Sequence, residues 1–506
     1  MKNVDFASLR HAGITLVLGL GETGMAAARW CLRHGVALRL ADTRDAPAGV
    51  QALQAESAET LDVRLGADAL ATGTLSDVSR IVLSPGLNPH EEPLRAFLDA
   101  AHEAGVEVIG EIELFARALA DLRAEGYRPR VLAVTGTNGK TTVTAMTRRL
   151  AEASGLSAVA AGNISPPALT ALAAALDADA LPDVWVLELS SFQMESTFSL
   201  EPDAAVVLNL SQDHLDWHGS MQAYAAAKAR LLNRAAVAVV NRDDPLVMGM
   251  VEGLDDLRVR SFGRDQPRYE GDFGLENSHG IEWLAAVPAR EPEGASSGRR
   301  RPRGPVTRST GTAQRLMPTE ALRLQGRHNA MNALAALALM QTAGAGMAPM
   351  LHALREYAGE PHRCEFVRNV GGIDFINDSK GTNVGATVAA LEGMGRPVVL
   401  IAGGLGKGQD FAPLAAAIRR HAHAVVLIGR DAPLIRAALG DGEMVIVGAD
   451  SMERAVRLAM EHAPAGGVVL LSPACASMDM FANYAERGRS FVGAVDELAL
   501  DRGEVA

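Results

Sequence analysis

Residues 131–142, VLAVTGTNGKTT, restrict the chain more than any other stretch: apolar β-formers run through a glycine-rich turn into a helical sequence. The order predicts a buried strand opening into a phosphate cradle. Backbone N–H groups around Gly136 and Gly139 can face phosphate oxygens, the helix adds its positive N-terminal end, and Lys140 brings a mobile charge. The hydroxyl of Thr141 or Thr142 then suits Mg²⁺. Strict Walker A spacing needs glycine at position 134, where Val134 stands, so this is a shortened variant. ATP is the expected ligand.

A second phosphate-loop pattern precedes it. ITLVLGLGETGMAAARW reads as a strand, then Gly19-x-Gly21-x-x-Gly24, then a helix, and the next strand ends in Asp42. The fingerprint fits NAD but equally cradles the diphosphate of any nucleotide. Further strands end at Ser84-Pro85-Gly86 and in VEVIG, so four strands are expected in a first domain reaching about Gly110.

Beyond the ATP loop, VWVLELSSFQME delivers Glu188 at a strand's C-terminal end, where open α/β sheets carry ligand chemistry and a carboxylate needs a cation. AAVVLNLSQDHLDWHGS repeats the design with Asp213, His214, Asp216 and His218, followed by Lys228 in a helical run. Taken alone, a loop histidine reads as structural and a helix lysine as solvated. AVAVVNRDDP is expected to close the core. Residues 288–318, rich in Gly, Ser, Pro and Arg, read as a flexible surface insertion, its arginines at 299, 300, 301 and 303 solvated. A long helix entered at Arg327 puts Asn329 and Asn332 on one side. From about Gly359, repeated apolar strands with polar C-terminal edges predict a second open parallel sheet.

At 506 residues the chain suits about three domains. Its net charge of −12 argues against nucleic acid as a bulk partner, and three scattered cysteines suggest neither disulfides nor zinc. Without an apolar run of membrane-spanning length or a signal peptide, a cytoplasmic location is expected.

Together, TGTNGKTT, ELSSFQME, SQDHLDWH, LQGRHNAMNALAA, EPHRCEF, NDSKGTN, GGLGKGQDF and SPACASMDMFANYAERG resemble the Mur ligases of bacterial cell-wall synthesis, in the family's order and over nearly the whole chain. The pair INDSKGTN and SPACASMD, with SPG in the first domain, looks most like the branch that adds D-glutamate to UDP-N-acetylmuramoyl-L-alanine. The resemblance implies three α/β domains. They are a Rossmann-like UDP-substrate domain (1–110), a central P-loop-type ATP domain with a mostly parallel sheet (111–359), and a C-terminal Rossmann-like amino-acid domain (360–506). It implies amide synthesis through an acyl phosphate, with ATP and two Mg²⁺ ions and no NAD, in a monomer acting on small molecules.

By position, the resemblance makes Lys140, Glu188, His214, Lys228 and Lys380 catalytic. Thr141, Glu188, His214 and a carbamylated Lys228 would hold metal, reversing the plain readings of His214 and Lys228. ATP contacts fall on Gly136, Thr137, Asn138, Gly139, Lys140, Thr141, Thr142, Asn329, Asn332, Arg363 and Asp378. Glu22, Thr23, Asp42, Thr43, Arg44, Gly86 and Asn163 would hold the UDP substrate. Arg363, Thr382, Lys407, Ser477 and Tyr484 would hold D-glutamate, Tyr484 standing where that branch usually has Phe. Alternatives are a sister ligase for another amino acid, an NAD-dependent oxidoreductase fused to an ATPase module, and a nucleotide-binding regulator. The D-N-P-R signature of the diaminopimelate-adding sister is missing.

Overall fold

The structure is a computed structural model that describes residues 4–47, 49–57, 60–289, 307–324, 326–406, 408–440, 442 and 444–504. Lys407 and the arginines at 299, 300, 301 and 303 lie outside the described residues. Among the described residues three sheets follow one another along the chain.

The first contains β1 (Ile14–Leu18), β2 (Leu38–Asp42), β3 (Asp62–Leu65), β4 (Val78–Leu83) and β5 (Glu107–Ile109), all parallel in the order β3-β2-β1-β4-β5. Among the described residues it therefore has five strands where the sequence suggested four. β3, DVRL, is too short and too polar to show a period, and its pairing with β2 makes it a strand. Both faces are covered: Leu16 and Leu18 enter one apolar cluster and Val17 the other, as the two-residue period requires. Gly19 lies at φ +90° and Gly24 packs directly on its carbonyl, so this turn tolerates no side chain at either position.

The second sheet comprises β6 (Arg130–Thr135), β7 (Ala158–Gly162), β8 (Val184–Glu188), β9 (Ala204–Val207), β10 (Val237–Asn241), β11 (Val259–Gly263), β12 (Phe273–Ser278), β13 (Ile281–Ala286) and β14 (Gln314–Pro318). Its order is β14-β13-β12-β11-β10-β9-β6-β8-β7, parallel from β7 across to β12 and antiparallel over the last three. Two expectations are corrected here. The sheet continues past β10, and the stretch read as an insertion ends in a strand: Met317 of β14 is buried against Leu284 of β13.

The third sheet holds β15 (Glu365–Val370), β16 (Ile373–Asn377), β17 (Val398–Gly403), β18 (Ala422–Ile428), β19 (Val445–Gly448) and β20 (Val468–Leu471), in the order β15-β16-β20-β17-β18-β19. It is parallel except for β15, which forms a hairpin with β16 through Gly371 and Gly372, both at positive φ. The expected all-parallel sheet thus carries an antiparallel edge.

The first two units share one core. Val17 and Trp30 belong to the same apolar cluster as Ile112, Phe115, Trp185 and Leu187, and the Phe115 and Trp185 rings meet edge-on at 5.1 Å. Among the described residues no helix is long and apolar enough to cross a membrane.

Candidate active site

β9, β6 and β8 are neighbours, so the loops leaving their C-terminal ends stand side by side. The middle loop is the expected phosphate cradle. Gly136 and Gly139 adopt φ of +151° and +83°, and a Cβ on Gly139 would stand 2.7 Å from Asn332 Oδ1. Only glycine allows this turn against the helix Arg327–Thr342. The helix Lys140–Ala153 follows, and Lys140 Nζ donates to the carbonyls of Gly136 at 3.0 Å and Thr137 at 2.8 Å. Asn329 and Asn332 lie together behind the loop, hydrogen-bonded at 3.2 Å.

Sequence reasoning missed Asn209, which splints the cradle. Its Oδ1 accepts from Asn138 N at 2.9 Å while its Nδ2 donates to Asn138 O at 3.1 Å. The one available signal was its position just past a strand end.

From β8 comes Glu188, 2 % exposed, whose Oε2 accepts from Thr141 Oγ1 at 2.6 Å and Oε1 from Asn163 Nδ2 at 2.9 Å. Lys228 is 1 % exposed and reaches the same loop: Nζ donates to Thr135 Oγ1 and Gly136 O, both at 3.1 Å. Burial first, then the charge of Lys140, drive the Lys228 amine well below the usual lysine range, against the pull of Asp213 and Glu188. Burial also lowers Lys140, opposed by Glu188 and Asp213. His214 takes a left-handed φ of 55°, with its ring edge-on to Phe192 at 4.7 Å and Nε2 3.6 Å from Asp213 Oδ2. His218 is packed away instead, against Ser191 Oγ at 2.9 Å and Glu195 Oε1 at 3.4 Å.

The C-terminal unit closes the other side. His362 and Cys364 both have positive φ, and between these two unusual residues Arg363 lines the cleft. Asp378, at the end of β16, is pushed up to about 6 by burial, opposed by the Ser472 hydroxyl at 2.7 Å and by Arg363. Lys380 is pulled down to about 8 by burial and by Arg363, and its ammonium sits 3.8 Å from the centre of the Tyr484 ring. Thr382 lines the same wall.

Arg487, 1 % exposed, was also missed as a separate residue. Its guanidinium donates to Ser379 Oγ, Ser379 O and Cys475 O, tying the loop after β16 to that after β20. Its signal lay in the quoted ANYAERG motif, where a buried arginine looks like any helical charge.

The cleft measures about 1930 Å³ and is lined by residues of the central and C-terminal units together with Glu22 of the first. It brings together Thr137, Asn138, Gly139, Lys140, Thr141, Thr142, Asn163, Glu188, His214, Asn329, Asn332, Arg363, Asp378, Lys380, Thr382 and Tyr484. Lys228 is not part of this lining and reaches the loop through Thr135 and Gly136. Ser477 is buried off the wall. Thr23, Asp42, Thr43, Arg44 and Gly86 gather elsewhere, at the C-terminal edge of the first sheet. There Asp42 Oδ2 accepts from Leu20 N at 2.6 Å and Arg44 pairs with both carboxylate oxygens. Burial pushes the Asp42 carboxyl up, but these donors outweigh it and hold the group below the ordinary range. Glu22 bridges to the central unit through Ser165 Oγ at 2.7 Å.

A divalent cation fits this donor set in part. Thr141 and Glu188 offer hard oxygens side by side, and among the described residues no cluster of three His, Cys, Asp or Glu side chains forms a complete cage. That pattern matches Mg²⁺, which is held by one or two protein oxygens and completed by phosphate and water.

Comparisons with known proteins follow the three units. The N-terminal domain profile of MurD-like Mur ligases matches residues 14–110, the Mur ligase middle domain 134–340, and the Mur ligase glutamate ligase domain 362–475. The chain is 60% identical to the UDP-N-acetylmuramoylalanine--D-glutamate ligase of Bordetella parapertussis, covering 100% of both chains. It is likewise 60% identical to that of Bordetella avium over 99% of this chain and 100% of the relative. Among solved structures, MurF ligase from Thermotoga maritima in complex with ADP shares the fold, with a TM-score of 0.55 at 17% identity over 81% of this chain and 92% of that one.

Proposed function

Because the chain belongs to the Mur ligase family, we propose that it joins D-glutamate to UDP-N-acetylmuramoyl-L-alanine at the expense of ATP, a step of peptidoglycan precursor synthesis. The observation that carries this reading is the 60% identity, end to end, to ligases named for that reaction. In our reading the first unit (1–110) holds the UDP substrate, the central one (111–359) ATP, and the C-terminal one (360–506) D-glutamate. The same reading implies a cytoplasmic monomer that uses no NAD.

The chemistry requires a carboxylate to approach a triphosphate, which stored positive charge makes feasible. Lys140, Lys380 and Arg363 surround the cleft and supply it. In the proposed course the substrate carboxylate attacks the γ-phosphate to give an acyl phosphate, and the amine of D-glutamate displaces phosphate. Two Mg²⁺ ions, held by Thr141, Glu188, His214 and Lys228, would neutralise phosphate charge when bound. Lys228 suits an oxygen-ligand role once carbamylated: its buried, hydrogen-bonded amine is biased toward the neutral form that adds to CO₂ with loss of a proton. Arg363 and Thr382, with Lys407 and Ser477, would meet the D-glutamate carboxylates, and Tyr484 would pack beside them. On the UDP side, Asp42 holds Arg44 where a diphosphate would approach the Gly19–Gly24 turn, alongside Glu22, Thr23, Thr43 and Gly86, while Asn163 would meet the muramoyl end.

The test offers D-glutamate, L-glutamate, lysine or diaminopimelate separately to purified protein with ATP, Mg²⁺ and UDP-N-acetylmuramoyl-L-alanine. We expect phosphate release and a glutamyl mass gain with D-glutamate alone. Product from a different amino acid would move the protein to a sister activity.

A further inference from the structure

Asn383 joins the C-terminal unit to the phosphate cradle, and nothing above gives it a role. It precedes the helix Val384–Gly393, caps it by accepting from Ala386 N at 2.9 Å, and is only 7 % exposed. That cap fixes the carboxamide's orientation. Its Nδ2 therefore points into the cleft, donating to Asn138 Oδ1 at 3.1 Å and Asp213 Oδ2 at 3.2 Å. Both acceptors belong to the central unit, 245 and 170 residues away. Asn138 is itself splinted by Asn209, so one amide chain runs from the C-terminal helix through the cradle to the end of β9.

Gly385 gives an independent observation. A Cβ there would stand 2.7 Å from Ser211 Oγ and 3.1 Å from Asn138 Nδ2. The first turn of this helix thus approaches the cradle as closely as a bare backbone allows.

We propose that Asn383 is a positioning residue, a two-pronged latch that holds the C-terminal unit shut over the phosphate cradle and brings Arg363, Asp378 and Lys380 to the nucleotide. The proposal rests on the ligase reading for its substrates. Holding two rigid units at the reacting distance is worth far more than two hydrogen bonds, because misplacement is paid at the reacting atoms.

Asn383→Asp separates latch from cap. Aspartate caps a helix as well as asparagine, but it removes the donor and sets a second carboxylate against Asp213. Gly385→Ala is the second variant: it favours the helix yet wedges the interface. For both, the latch predicts a Tm within a few degrees of wild type and an unchanged KM for the UDP substrate, which the first unit binds. It also predicts at least a tenfold rise in KM for ATP and D-glutamate. A dye pair on the central and C-terminal units should report ATP-dependent closure in wild type and its loss in the variants. Unchanged KM values, or a uniform loss of activity with a lowered Tm, would overturn the latch. Closure by ATP that Asn383→Asp abolishes supports it even where no amide is formed, an outcome that overturns the ligase reading alone.

Discussion

At Lys228 two facts meet that rarely coexist: a lysine almost wholly removed from water, and a second lysine whose charge lowers it further. An ammonium at such a site is costly even with its hydrogen bonds to Thr135 Oγ1 and Gly136 O. The proposed role, which consumes the neutral amine through carbamylation to an oxygen ligand, would account for the arrangement. Lys228→Ala should lower kcat by about a thousandfold or more, the scale of losing an electrostatic group at the transferring phosphoryl. Added bicarbonate should not restore it. A variant retaining most of the wild-type rate would remove the carbamate from the account.

The cradle between β6 and its helix shows what an element contributes. Gly139 is left-handed and abuts Asn332, so Gly139→Ala meets both backbone strain and a displaced neighbour. The expected result is a KM for ATP raised by about tenfold or more, equivalent to ~1.4 kcal/mol, with the UDP-substrate KM kept. This element was legible because strand, turn and helix are contiguous, and so was Glu188, at a strand end. β3 and β15 were not, because strands interrupted by charged residues acquire their identity from the neighbour they pair with, and neither was β19, a four-residue edge strand. The β12–β14 extension was hidden similarly, by the change in composition that made residues 288–318 read as one loop. Asn209, Asn383 and Arg487 were illegible as site residues because their partners lie tens to hundreds of residues away. The roles proposed for His214 and Lys228 rest on family resemblance, since a loop histidine and a helix lysine carry no local signal.

Across the whole molecule, the first two units are welded by a shared core while the third meets the second across a cleft lined with polar groups. Glu111 marks the weld. It begins the helix Glu111–Ala124, is 2 % exposed, and accepts from Leu169 N at 2.6 Å. Burial pushes its carboxyl up to about 7, against the pull of the Leu169 and Ala168 N–H groups. The folded chain then holds a proton that the unfolded chain releases near 4.5. Its stabilising contribution is present below that value and lost as pH rises through about 7, at most ~3 kcal/mol. Glu111→Gln, which mimics the protonated form, should match wild-type Tm at pH 5 and exceed it at pH 8. A difference in Tm that stays flat between the two pH values would contradict a proton held at this junction.

The central claim is that the cleft brings a substrate carboxylate onto the γ-phosphate of ATP before the amine arrives. It is tested most directly by labelling the carboxylate oxygens of UDP-N-acetylmuramoyl-L-alanine with ¹⁸O and weighing the phosphate released with D-glutamate. The account predicts one ¹⁸O in each phosphate and one retained in the new amide. Phosphate free of label, or label in AMP, would contradict it.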